Sequence, residues 1–149
     1  MAVLGSRTAR LLLPAVIVVA VATARAEPVI IAHPSCPVAR LEPDDARRLI
    51  VGEELSWSNG DATQLVEMRG DDLVAAAGYL AIARKTPSQV RAEWNRLVFA
   101  GRANPPLRFS NTAEVRAAVG RLPGAFAVVD SSVADATVRV VFRVGAGKR

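Results

Sequence analysis

Two side chains that carry much of protein chemistry are nearly missing from this chain. Its 149 residues include one cysteine, Cys36, and one histidine, His33. A lone cysteine cannot close an internal disulfide, so a core must hold the fold together. Nor is Cys36 preceded by the small apolar box of a lipoprotein. A metal site needs three or four ligands, and none cluster in sequence around His33 and Cys36. They read as a loop imidazole and a loop thiol at a strand end. There is no G-x-S-x-G elbow and no glycine-rich phosphate loop. The neighbouring acids Asp44-Asp45 and Asp71-Asp72 point apart on a helix and make no acid–base pair. These absences argue against an enzyme, a metal and a resident cofactor. No basic stripe interleaves with aromatics, which leaves nucleic-acid binding unsupported. No internal repeat or low-complexity linker divides the chain, so it holds one domain of ordinary size.

What is present begins with an address. Arg7 and Arg10 precede an apolar run from Leu11 to Ala22, and Ala24-Arg25-Ala26 has the A-x-A form of a cleavage site. This layout predicts a secretory signal peptide over 1–26 and a mature, exported domain over 27–149. The run is short for a membrane span. The alternative reading is an uncleaved N-terminal anchor. The leader holds three of the 19 basic residues and no acid, which leaves 16 against 14 acids, a net charge near +2.

Along the mature part, Pro28 to Ala32 is a β-branched apolar run and predicts a buried strand. Pro43 opens a helix to Val51, closed by Gly52. Thr63 to Met68 predicts a second strand. Leu73 to Ala83 has no polar face, which suits a helix buried on most sides.

The best-marked stretch is Thr86 to Pro106. Thr86 caps a helix, Pro87 sits at its first turn, and Gln89 completes a capping box. Val90, Trp94, Leu97 and Val98 form its apolar stripe. Gly101 ends it, and Pro105-Pro106 leads an exit loop. Asn111 caps a further helix, with Glu114 at the box position and Val115, Ala118, Val119 and Leu122 on its apolar face. Ala125 to Val129 predicts a buried strand. A last strand near an edge puts Val138, Val140, Phe142 and Val144 on one face and Thr137, Arg139, Val141 and Arg143 on the other. The reading is an α/β domain with about four strands covered by helices.

Four segments in order resemble a known family. Leu41 to Gly52 is similar to a helix ending in "(I/F)-F-x-G-K", and Trp57-Ser58-Asn59-Gly60 to "W-x-(D/N)-G". Val66-Glu67-Met68-Arg69 is similar to a strand ending in arginine. Leu122 to Val129 is similar to "x-P-G-A-I-G-Y-V". Trp94 to Pro106 also resembles the signature of small stand-alone relatives. The family is the periplasmic phosphate-binding proteins, solute receptors of phosphate ABC transporters. The resemblance implies a single lobe of a type II periplasmic-binding-protein-like fold, since 123 mature residues suffice for about one lobe. It also implies transport of phosphate or another small anion to a membrane transporter. The family follows the strand-end arginine with a hydroxyl-bearing glycine loop at a helix N-terminus. Here Arg69 and Gly70 are kept, and Asp71-Asp72 replaces the hydroxyls.

The expected site therefore lies at strand ends. Arg69 suits an oxyanion with its planar fork; its alternative role is an ion pair with Asp71 or Asp72. Ser35, Ser131 and Ser132 follow strands, where open α/β sheets bind ligands. Their alternative role is turn chemistry. Ser35, Arg69, Gly70, Ser131 and Ser132 are expected to line one crevice, with Arg102 a lesser candidate. A second reading is a non-catalytic interaction or sensory module in which Trp57 and the 100–110 loop face a partner.

Overall fold

A computed structural model describes Gly5, residues 16–20 and residues 25–145. Most of the expected leader and the C-terminal Gly147-Lys148-Arg149 lie outside the described residues. No described helix is long and apolar enough to cross a membrane.

The elements run β1 (Pro28–Ala32), α1 (Pro43–Val51), β2 (Gln64–Met68), α2 (Leu73–Ala83), α3 (Pro87–Phe99), β3 (Leu107–Phe109), α4 (Thr112–Arg121), β4 (Ala125–Asp130), a 3-10 turn (Ser131–Val133) and β5 (Arg139–Arg143). The five strands form one sheet in the order β3-β2-β4-β1-β5. β2 is parallel to both β3 and β4, while β1 is antiparallel to both β4 and β5. One strand thus runs against four.

Side chains alternate across the strands and build two cores. Ile30, Leu65, Phe126 and Val128 pack with Leu49, Tyr79, Val90 and Trp94 under α1, α2 and α3. Val29, Ile31, Val66, Ala127 and Val129 pack with Val115, Ala118 and Val119 under α4. β1 and β4 are buried on both faces, as continuous apolar runs require. α2 lies close on β4: a Cβ on Gly78 would stand 2.5 Å from Val128 Cγ1.

Caps behave as the sequence requires. Thr86 Oγ1 accepts from the Gln89 N–H, and the Gln89 side chain accepts from the Thr86 N–H. Asn111 Oδ1 accepts from the Glu114 N–H, but the Glu114 carboxylate reaches back to Ser110 rather than to Asn111.

Three expectations change. The exit loop contains β3, a fifth strand paired with Val66–Met68; only three residues long and largely exposed, it has no hydrophobic pattern to announce it. In β5 the buried residue is Val141, not Val140 or Phe142. A bulge lets Ile30 face Phe142 and Ile31 face Val140, so Val141 is the extra residue turned inward. Finally, α2 is not buried on most sides. Leu73 is 82% and Leu80 60% exposed.

Candidate functional site

The β2–β4 ladder covers only Gln64–Ala125 and Leu65–Phe126. Beyond it the two parallel strands part. Glu67 and Met68 on one side, and Val128 and Val129 on the other, line a crevice of about 330 Å³ at their carboxyl ends. Open α/β sheets bind ligands at such a place. The first turns of three helices border it, through Asp72 and Leu73 of α2, Pro87 and Ser88 of α3, and Thr112 of α4.

Tyr79 lines the crevice and is only 2% exposed. None of the described residues hydrogen-bonds to its hydroxyl. Burial pushes its phenol far above the usual range, and the Glu67 and Asp72 carboxylates push it further; Arg91 and Arg108 pull the other way. The group is therefore a neutral donor at any physiological pH. No buried side-chain polar atom among the described residues lacks a partner, so the Tyr79 ring is buried while its hydroxyl opens onto the crevice, free to donate to water or to a ligand. Ser88, Arg91 and Thr112 add donors around the same space.

Three carboxylates oppose an anion there. Glu67 is tied across the strands to Arg108 at 3.0 Å. The Asp72 carboxylate accepts from the Val74 and Ala75 N–H groups at 3.1 and 3.0 Å. It fills, from within the chain, the N-terminal seat of α2 that an oxyanion would take. Asp71 is exposed at the rim and makes no hydrogen bond or ion pair with any described residue.

The expected site residues do not share one crevice. Gly70 lines it; Arg69 stands next to Gly70, exposed, with its side chain paired to neither Asp71 nor Asp72. Its N–H donates to Phe109 and prolongs the β2–β3 ladder. Ser131 and Ser132 sit at the same end of the sheet but do not line the cavity. Ser131 Oγ bonds Glu27 Oε2, and Asp130 accepts from Glu27, Ser132 and Ser131, which holds its carboxyl below the usual range. Ser35 is at the opposite end of the sheet. β1 runs antiparallel to β4, so its carboxyl end meets the start of β4: the His33 N–H donates to Ala125. The length of β4, about 20 Å at 3.3 Å per residue, separates Ser35 from Ser131. The Ser35 hydroxyl bonds His33 Nδ1 at 2.7 Å within its own turn. Cys36 is a free thiol in the loop after β1, as expected, and it is buried. Among the described residues no three His, Cys, Asp or Glu side chains cluster as metal ligands. Arg102 borders a separate shallow cavity with Thr63 and Asn104.

Sequence reasoning missed Tyr79, Ser88, Arg91 and Thr112. One signal was available: Tyr79 is the only polar side chain in Leu73–Ala83, an otherwise apolar helix.

No family model matches the chain, and no curated protein matches it in sequence. Its fold, however, is found in solved transport receptors. It resembles an ABC-type phosphate transport receptor from Vibrio cholerae at 12% identity and a TM-score of 0.51, over 78% of this chain and 45% of that one. A putative phosphate ABC transporter substrate-binding protein from Clostridium perfringens, with bound phosphate, matches at 14% identity and a TM-score of 0.59, over 78% and 44%. PstS from Borrelia burgdorferi matches at 9% identity and 0.56, over 83% and 49%. The chain spans less than half the length of each. The class is thereby defined as a periplasmic-binding-protein-like α/β fold of a single lobe.

Proposed function

We propose that the chain is a non-catalytic solute-binding lobe of the periplasm, exported behind its leader, that holds a small anion such as phosphate in the β2–β4 crevice for an ABC transporter. The observation that carries this reading is the crevice lining, which brings the Tyr79 hydroxyl, without a hydrogen-bond partner among the described residues, together with Ser88, Arg91 and Thr112 at the carboxyl ends of β2 and β4. Arg91 supplies the positive charge, Ser88 and Thr112 supply further donors, and Arg69 and Gly70 form the rim. The likeness to phosphate receptors supports the choice of ligand. The carboxylates set its limit. Like charges about 4 Å apart oppose each other by about 1–4 kcal/mol, comparable to one charge-assisted hydrogen bond. Affinity is therefore expected in the micromolar to millimolar range rather than below it.

Calorimetric titration with phosphate, sulfate and acetate tests the reading. It predicts saturable heat with at least one oxyanion, reduced at least fivefold in affinity by Arg91→Ala. Absence of heat from all three at 10 mM would sink it. That result would favour the second reading, a lobe that kept the fold as an interaction module. The specific observation behind that alternative is Asp72, whose carboxylate already occupies the α2 N-terminus.

A further inference from the structure

The solvent face of α2 carries no polar side chain. Leu73, Ala77, Leu80 and Ala81 are all exposed and fall at i, i+4, i+7 and i+8, one stripe of the helix, with Arg84 continuing it one turn further. Water-facing helix stripes are normally polar, and contiguous exposed apolar surface marks a contact site. The ends of the stripe carry opposite charge. Asp71 and Asp72 stand at its start, Arg84 and Lys85 at its finish. Neither Asp71, Arg84 nor Lys85 forms an ion pair with a described residue.

Arg84 is also the only non-glycine residue with a positive φ, 55°, among those described. Glycine or asparagine is the usual choice at that helix-ending position. An arginine kept there at a backbone cost points to use of its side chain.

We propose that the chain forms a two-fold symmetric dimer through α2, the helices packing antiparallel across this stripe. Such a contact is isologous, so the surface must complement itself. This one does. With the axis between Ala77 and Leu80, Ala77 faces Leu80 of the second copy, small against large. Leu73 then lies under the aliphatic stem of Arg84 from the second copy. Asp72 meets Lys85, and Asp71 lies within reach of the same cationic end. No other described surface pairs an apolar helix stripe with opposite charges at its two ends. A contact confined to one helix face is smaller than the roughly 1,200–2,000 Å² of stable complexes, so dissociation in the micromolar range is expected.

One consequence concerns the crevice. Asp71 and Asp72 border it, so the dimer brings two cations of the second copy to its acidic mouth. Anion binding and association should then favour each other. That consequence rests on the solute-binding reading; the association itself does not.

Sedimentation velocity without added anion, from about 5 to 500 μM, tests the dimer alone. The wild type should shift from monomer to dimer across this range. Leu80→Glu should remain monomeric at 500 μM with an unchanged far-UV spectrum. Arg84→Gly relaxes the backbone and removes the charge, so it should raise the thermal midpoint at low concentration yet weaken association at least threefold. A purely structural role for Arg84 would leave association unmoved. A wild type that is monomeric throughout, or a Leu80→Glu protein that dimerises like wild type, overturns the proposal. Repeating the run in 10 mM phosphate addresses the coupling separately.

Discussion

Tyr79 separates binding from stability more cleanly than any other residue here. Its hydroxyl opens onto the crevice and has no partner among the described residues, so removing it deletes no bond that holds the fold. Tyr79→Phe is expected to leave the thermal midpoint nearly unchanged, because the hydroxyl it removes meets the crevice and not the fold. In titration the same variant should bind oxyanion at least fivefold more weakly. Asp130 behaves in the opposite sense. Hydrogen bonds from the Glu27 N–H and from Ser132 and Ser131 hold its carboxyl below the ordinary 3.8. The unfolded chain therefore takes up the proton first as pH falls. This stabilisation is complete above about pH 5 and is lost as pH drops through the folded value. Thermal midpoints of wild type and Asp130→Asn should differ at pH 7 and converge toward pH 2. Cys36 offers a simple check on burial, which raises its thiol above the usual range. It should react with a thiol reagent at pH 8 only when denaturant opens the core.

At the level of elements, the family-like motifs turn out to be packing devices. The Trp57 indole N–H donates to the Gly124 carbonyl at 3.0 Å, which joins the tryptophan turn to the Pro-Gly-Ala turn. Gly124 has φ +81°, and a Cβ there would stand 2.0 Å from the Ala62 carbonyl oxygen. Gly124→Ala should destabilise by about 2 kcal/mol or more through strain and clash together, read by denaturant unfolding. The Trp94 indole donates to the Ile50 carbonyl at 2.8 Å, and Gly52 leaves room for Leu97 and Trp94. Trp94→Ala should cost about 3–5 kcal/mol. These elements were legible because their information is local. A cap, a terminating glycine and an apolar stripe each act within a few residues, and α1, α3 and α4 follow them. β3 was not legible: Leu107–Phe109 is too short for a period and forms only because Val66–Met68 lies alongside. The inward turn of Val141 depends likewise on a bulge against β1.

The whole molecule decides where the site is, and here sequence reading reached only part way. A crevice does lie at the carboxyl ends of two strands, and Gly70 lines it. Which ends share one side depends on strand direction. β1 runs against the other four strands, and nothing in Pro28–Ala32 encodes that direction. Ser35 was carried to the far end by this alone. The crevice itself arises where β2 and β4 part after two paired residues, a property of the sheet and of no single motif. Tyr79, Arg91 and Thr112 converge on it from three separate helices. The most direct test of a solute held there uses the fact that Tyr79 is the chain's only tyrosine. Protein labelled at the ε-carbons of tyrosine gives ring signal from this residue alone in an NMR spectrum. Adding phosphate should move that resonance along a saturable curve, and Arg91→Ala should shift the midpoint to higher concentration. A tyrosine signal that stays fixed while phosphate rises to 10 mM contradicts the assignment of the crevice as the binding site.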